Sequence, residues 1–295
     1  MNSKKNNFSR SNLIFFGEIR TELLKRKIPS ARYEAEELLK HFGKMSRLEL
    51  FSGEKPVSRR GQDLAKKAVR ARLSGKPLGH ILKETEFCGL KFFLDANVLI
   101  PRPETEILAE ESLNVLNQNY SGKTADVLDV GTGSGVLAVC LTLKRPGCRM
   151  TALELSEKAL CIARKNINLH GLDKHIRLVK SDLFKVFGTQ KKAFWDIIVS
   201  NPPYVPKEDF AGLSKEVRSE PFLALNGGPK GLQIIKRILK EAPHFLKKNG
   251  WLLMEIGDGQ SKLVRRELKT DKNFKDLRFA KNFSGVERIL IVRKQ

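Results

Sequence analysis

From about residue 106 onward, short apolar runs rich in β-branched residues alternate with stretches of helical periodicity. DVLDV (126–130), MTALE (150–154), IRLVK (176–180), WDIIVS (195–200), GWLLMEI (250–256) and ERILIV (287–292) read as strands, and helical segments separate most of them. Strands linked through helices run mainly parallel and are covered on both faces. The pattern predicts an α/β domain over 106–295. In such a sheet a ligand sits beyond the carboxyl ends of the strands, near the point where strand order reverses.

Upstream the texture differs. LIFFGEIRTELLKRK carries apolar residues at helical spacing, Ser30 precedes ARYEAEELLKHFG, and Ser58 is placed to cap RRGQDLAKKAVRARLSG. Residues 1–85 are expected to form a small helical domain, and its first 17 residues a short disordered leader. An organelle transit peptide, and hence a mitochondrial location, is the alternative for a leader with Lys4, Lys5, Arg10 and no acid. FCGLKFFLDANVLIPRPETE, with turn material at Gly89 and Asp95–Asn97, predicts a β-hairpin linker over 86–105. Pro101 and Pro103 then hold the chain extended until a helix starts near Glu104.

The four cysteines show no CxxC spacing and no nearby His partner. This argues for free thiols in a reducing compartment, the cytoplasm, with no disulfide framework and no metal site. No apolar run approaches the roughly 20 residues that span a bilayer. The 55 Lys+Arg against 33 Asp+Glu give a net charge of +22, and residues 1–83, with 20 against 8, hold +12 of it. Such an excess fits a polyanionic partner, RNA or a ribonucleoprotein particle. Read alone, it fits a solubilising Lys-rich surface equally well.

Two segments carry chemistry. In LDVGTGSGVLA, Asp129 ends the first strand and Gly131, Thr132, Gly133, Ser134 and Gly135 follow. Glycine permits a sharp turn and close approach of a ligand. The dinucleotide spacing G-x-G-x-x-G fails, because residue 136 is Val. Glu154, at the next strand end, can accept both hydroxyls of a ribose, Asp182 can accept from an adenine amine, and Leu183 can lie on the adenine face. This set resembles class I S-adenosylmethionine-dependent methyltransferases, though each piece alone is also a tight turn or a helix cap.

The second segment is NPPY (201–204), which follows an apolar strand. Pro202 and Pro203 lack N–H groups, so the backbone carbonyl near Pro202 need not be consumed by local pairing, and Asn201 offers a side-chain carbonyl and Tyr204 a flat face. Two converging acceptors suit a planar –NH2 group. The bland reading is a rigid turn that closes a strand.

NPPY is shared by enzymes that methylate adenine amines and by protein glutamine N5-methyltransferases. VLIPRPETE (98–106), EPFLALNGGPKGL (220–232) and MEIGDGQ (254–260) together resemble the peptide chain release factor N5-glutamine methyltransferase family, over nearly the whole chain. The resemblance implies a Rossmann-like class I methyltransferase domain with a mainly parallel seven-stranded sheet, joined by a hairpin to a small all-α N-terminal domain that docks the substrate. It implies S-adenosylmethionine as cofactor, S-adenosylhomocysteine as product, and the glutamine of the GGQ loop of class I release factors as methyl acceptor. Gly131, Thr132, Gly133, Ser134, Gly135, Glu154, Asp182, Leu183 and Asn201 would contact the cofactor. Asn201, Pro202, Pro203 and Tyr204 would hold the glutamine, and Arg102 and Glu104 would line the cofactor entrance. A cytoplasmic monomer is expected, with weak RNA or ribosome contact through the basic domain and no membrane contact. Ribosomal-protein glutamine or adenine N6 methylation are the alternative activities. Two positions depart from the family: Glu154, where Asp is commoner, and Lys83, where Gly is common, which puts the local turn in doubt.

Overall fold

A computed structural model describes residues 2–188 and 192–295, with side chains described from residue 11. The chain divides into two units: Met1–Lys83 with Lys215–Ser219, and Glu84–Ser214 with Glu220–Gln295.

Five helices build the first unit: α1 (Asn2–Lys25), α2 (Ala31–Gly43), α3 (Arg47–Ser52), α4 (Arg59–Leu73) and α5 (Leu78–Leu82). Residues 2–17 of the segment expected to be a disordered leader are instead part of α1, and Met1 lies outside the described residues. Phe15, Ile19 and Leu23 of α1 pack with Leu38 and Leu39 of α2, Leu50 of α3 and Val69 of α4. Ser58 caps α4, its hydroxyl accepting from the Gly61 N–H at 3.1 Å. Along α4 the small residues Ala65 and Ala68 face inward, and Arg59, Arg60, Lys66, Lys67 and Arg70 are exposed. Arg72 breaks that pattern. It is buried, and its guanidinium grips Glu34 through Nε–Oε2 at 2.7 Å and Nη2–Oε1 at 3.1 Å, while Nη2 also reaches Glu216 Oε2 at 3.0 Å. Such a fork satisfies a carboxylate that would otherwise be costly to desolvate. Lys83, just after α5, stands at φ +59, a left-handed conformation that glycine adopts with less strain.

The second unit opens with a hairpin of β1 (Glu84–Phe87) and β2 (Leu90–Phe93), whose register pairs Phe87 with Leu90. Cys88 and Gly89 between them both have positive φ, as a two-residue primed turn requires. The hairpin ends well before residue 105, and α6 (Pro103–Asn119) begins inside the expected linker with proline in its first turn. There follow β3 (Ala125–Val130), α7 (Val136–Lys144), β4 (Cys148–Glu154), α8 (Glu157–Leu169), β5 (Ile176–Lys180) and β6 (Trp195–Ser200). The short helices α9 (Lys215–Arg218) and α10 (Phe222–Leu225) precede α11 (Gln233–Glu241), β7 (Leu246–Glu255), α12 (Ser261–Lys269), β8 (Phe274–Lys281) and β9 (Glu287–Lys294).

β3 to β9 form one seven-stranded sheet in the order β5-β4-β3-β6-β7-β9-β8. β5, β4, β3, β6 and β7 are mutually parallel, and only β9, antiparallel to both of its neighbours, runs the other way. The expected class of fold is present. Successive residues face opposite sides, as a pleat demands. Val127, Ile197 and Leu253 enter the core with α6 and α7, whereas Leu128, Ile198 and Leu252 enter the core with α11 and α12. Strand order reverses between β3 and β6.

Candidate active site

At that reversal, Val130 of β3 pairs with Ser200 of β6 on one side and with Leu153 of β4 on the other. The glycine turn, Glu154 and Asn201 therefore leave three adjacent strands at the same level. A further bond from Ser200 Oγ to the Val130 carbonyl, 2.7 Å, ties the two strand ends together.

Gly131 (φ +76) and Gly133 (φ +57) hold left-handed conformations, and a methyl group added to either would meet nothing within 4 Å. Their exposed flank is open space that a ligand can approach. Gly135 differs: a methyl there would lie 3.4 Å from Ala163 of α8, so it lets helix and turn pack closely. Ser134 is buried, its carbonyl accepting from Asn166 Nδ2 at 2.8 Å. Thr132 Oγ1 donates to Asp129 Oδ2 at 2.6 Å, and Asp129 Oδ1, buried, has no partner. Burial pushes the Asp129 carboxyl up to about 7, against the Thr132 bond and helped by the charge of Glu154.

Glu154 braces the turn. Its Oε2 accepts from the Gly133 N–H at 2.9 Å and its Oε1 from the Ser156 N–H at 2.8 Å. Each oxygen keeps a second lone pair. Asp182 sits between two cations, Lys185 Nζ at 2.6 Å and Arg237 Nη2 at 3.0 Å, and the Lys185 bond leads in holding its carboxyl below the usual range. Leu183 has φ +49, and its side chain packs on the α11–α12 side of the sheet.

NPPY is held from behind. Asn201 Nδ2 donates to Thr105 Oγ1 at 3.0 Å, and Thr105 Oγ1 donates to Glu255 Oε2 at 2.7 Å. Asn201 Oδ1 is buried and unpartnered. Pro202 is buried, and no donor among the described residues reaches its carbonyl. Tyr204 accepts at its hydroxyl from Arg288 Nη2 at 3.2 Å, and the guanidinium lies 5.3 Å from the ring centre. The Tyr204 carbonyl takes a bond from Gln260 Nε2 at 3.0 Å, while Gln260 Oε1 accepts from the Gly257 N–H at 2.7 Å. A methyl on Gly227 would sit 2.8 Å from the Pro203 carbonyl, and one on Gly231 would collide with the Tyr204 carbonyl. Thus GGPKG and GDGQ press directly on the NPPY backbone.

The PRPETE segment is anchored too. Arg102 Nη2 meets Glu220 Oε1 at 2.5 Å, Glu220 Oε2 accepts from the Ile100 N–H at 3.2 Å, and Glu104 Oε1 accepts from Asn282 Nδ2 at 3.2 Å. Sequence reasoning passed over Thr105, Glu220, Glu255, Gln260 and Arg288. One signal was available for Glu255: a carboxylate inside the apolar run GWLLMEI, where an unpaired acid would be costly.

Residues 17–82 match the family model described as the PrmC N-terminal domain, and residues 105–216 match the methyltransferase small domain. A release factor glutamine methyltransferase from Chlorobaculum tepidum is 37% identical over 284 residues, 95% of this chain and 93% of that protein. This chain belongs to the release factor glutamine methyltransferase family. A family relative of different name, the ribosomal protein uL3 glutamine methyltransferase of Francisella tularensis, is 39% identical over 212 residues, 72% of this chain but 65% of that protein. Among solved structures, the hMettl16 catalytic domain in complex with a MAT2A 3'UTR hairpin aligns with a TM-score of 0.54 at 16% identity, over 78% of this chain and 80% of that one, a likeness of fold. The methyl donor of this family and fold is S-adenosylmethionine. The site suits it: the flank of Gly131 and Gly133 is open.

Proposed function

We propose that this protein transfers the methyl group of S-adenosylmethionine to the side-chain amide nitrogen of the glutamine in the GGQ motif of a class I peptide chain release factor. The reading is carried by Asn201. Its Nδ2 is engaged by Thr105, its Oδ1 is buried without a partner, and among the described residues no donor engages the carbonyl of Pro202, the next residue in the chain. An amide nitrogen is a weak nucleophile because its lone pair is delocalised. Two fixed acceptors holding its two hydrogens favour a pyramidal nitrogen and aim the lone pair, and they stabilise the positive charge that develops there. S-adenosylmethionine, when bound, would supply an electrophilic methyl, its C–S bond being exchanged for the new N–C bond with S-adenosylhomocysteine as the leaving group. One N–H proton of the glutamine amide, acidic only after the nitrogen has gained the methyl, would leave to water.

Gly131, Thr132, Gly133, Ser134 and Gly135 would cradle the methionine end of the cofactor, Glu154 its ribose, and Asp182 with Leu183 its adenine. Asn201, Pro202, Pro203 and Tyr204 would hold the glutamine. The helical unit would dock the release factor through the exposed cations of α4, with contact to RNA as a lesser use of the same face. We read the protein as a cytoplasmic monomer; among the described residues no helix is long and apolar enough to cross a membrane.

The test is label transfer from tritiated S-adenosylmethionine to a release factor, its GGQ-to-GGA variant, ribosomes and DNA in parallel. Label on the intact factor alone is expected. Label on ribosomal protein or DNA would move the activity to that substrate, and label retained by the GGA variant would displace the glutamine assignment.

A further inference from the structure

We propose that Thr105 and Glu255 act as a positioning relay that decides which end of the Asn201 amide faces the substrate. An asparagine amide turned through 180° occupies almost the same volume, yet it presents two donors where it had presented an acceptor. Toward an –NH2 group the two orientations differ between attraction and repulsion. Thr105 by itself cannot choose, because a hydroxyl donates and accepts. Glu255 makes the choice. Its Oε2 lies 2.7 Å from Thr105 Oγ1, and an ionised carboxylate only accepts, so the threonine proton points at Glu255. Only a lone pair is then left for Asn201, at 3.0 Å, which must present Nδ2 to it and turn Oδ1 the other way.

The surroundings of Glu255 make the relay responsive to pH. The side chain is fully buried, its Oε2 takes the Thr105 bond, and the Tyr204 hydroxyl helps to hold its charge. Thr105 and Glu104 face it from α6, Tyr204 from the segment after β6, and Arg288 from β9. Burial dominates and pushes the carboxyl up to about 7, with Glu104 adding to the rise and Thr105, Arg288 and Tyr204 opposing it. Once protonated, Glu255 can donate to Thr105, the threonine proton swings toward Asn201, and the amide is favoured in its inverted orientation. The sign is fixed: the productive arrangement belongs to the ionised form, so turnover falls as pH drops through about 7.

This inference rests on the function proposed above only in taking an –NH2 group as methyl acceptor. Its test compares wild type, T105S, T105V and E255Q for kcat, KM and pH profile on a class I release factor, with cofactor affinity measured by calorimetry. Misorienting a group that positions the reacting atom costs on the order of 100-fold in rate. T105V, isosteric but without a hydroxyl, should lose kcat on that scale and keep its cofactor affinity, while T105S should restore most of the rate. E255Q, which has no proton to exchange, should turn over more slowly and lose the inflection near neutrality. Equal rates for T105V and T105S, or an unchanged inflection in E255Q, would overturn the relay. If T105V binds no cofactor, the E255Q profile alone decides. A wild type that labels a different –NH2 substrate refutes the release-factor reading but leaves the relay to be judged by the same ratios on that substrate.

Discussion

At Asp129 a single buried charge works against stability. Its carboxyl is buried and pushed up to about 7, well above its value in an unfolded chain. A raised carboxylate contributes stability that is complete below about pH 4 and is lost as pH climbs through about 7. Asp129→Asn, which keeps the Thr132 bond and cannot ionise, should therefore gain Tm relative to wild type as pH rises from about 5 to 8. Calorimetric melts of the two proteins across that range check it, and a constant difference would refute it. At this scale NPPY and the glycine turn stood out in the sequence, as prolines that cannot donate and glycines after a strand, but their roles came from the family resemblance. Thr105 and Glu255 were not, because their meaning is a pair of distances between residues about 150 positions apart.

The elements behind NPPY explain why LNGGPKGL and MEIGDGQ mark this chain so clearly. They are the wall against which the NPPY turn is pressed. Gly231 combines φ +67 with no room for a side chain against the Tyr204 carbonyl and Gln260. Gly231→Ala should destabilise the fold by about 1–3 kcal/mol and lower kcat more than it lowers cofactor affinity. Denaturant melts together with single-turnover rates would show it; a variant with unchanged rate would mean the turn holds its shape unaided. Strands buried on both faces were legible as apolar runs. β8 escaped that reading because FKDLRFAK lies at the sheet edge, carries charges, and breaks register around Asp276 at φ +54. The leader was misjudged for a related reason: a polar segment can continue a helix whose apolar half lies downstream.

For the molecule as a whole, the +22 charge is not one reservoir. Arg72 is buried in a fork with Glu34, with the exposed Glu216 as a second partner, and cannot serve as surface charge. Replacing Arg59, Arg60, Lys66, Lys67 and Arg70 by glutamate should raise KM for the release factor by about tenfold or more at low salt and leave cofactor affinity alone. Steady-state kinetics at two ionic strengths would measure it, and an unchanged KM would remove α4 from docking. The fork has a further consequence for anyone dissecting the protein. Glu216 reaches Arg72 from a stretch of chain more than 130 residues downstream, between the NPPY turn and the glycines that brace it. Scissors applied after Lys83 would thus leave the buried Arg72 with one of its two carboxylates gone. Point substitutions on the surface of α4 are the cleaner way to separate docking from catalysis.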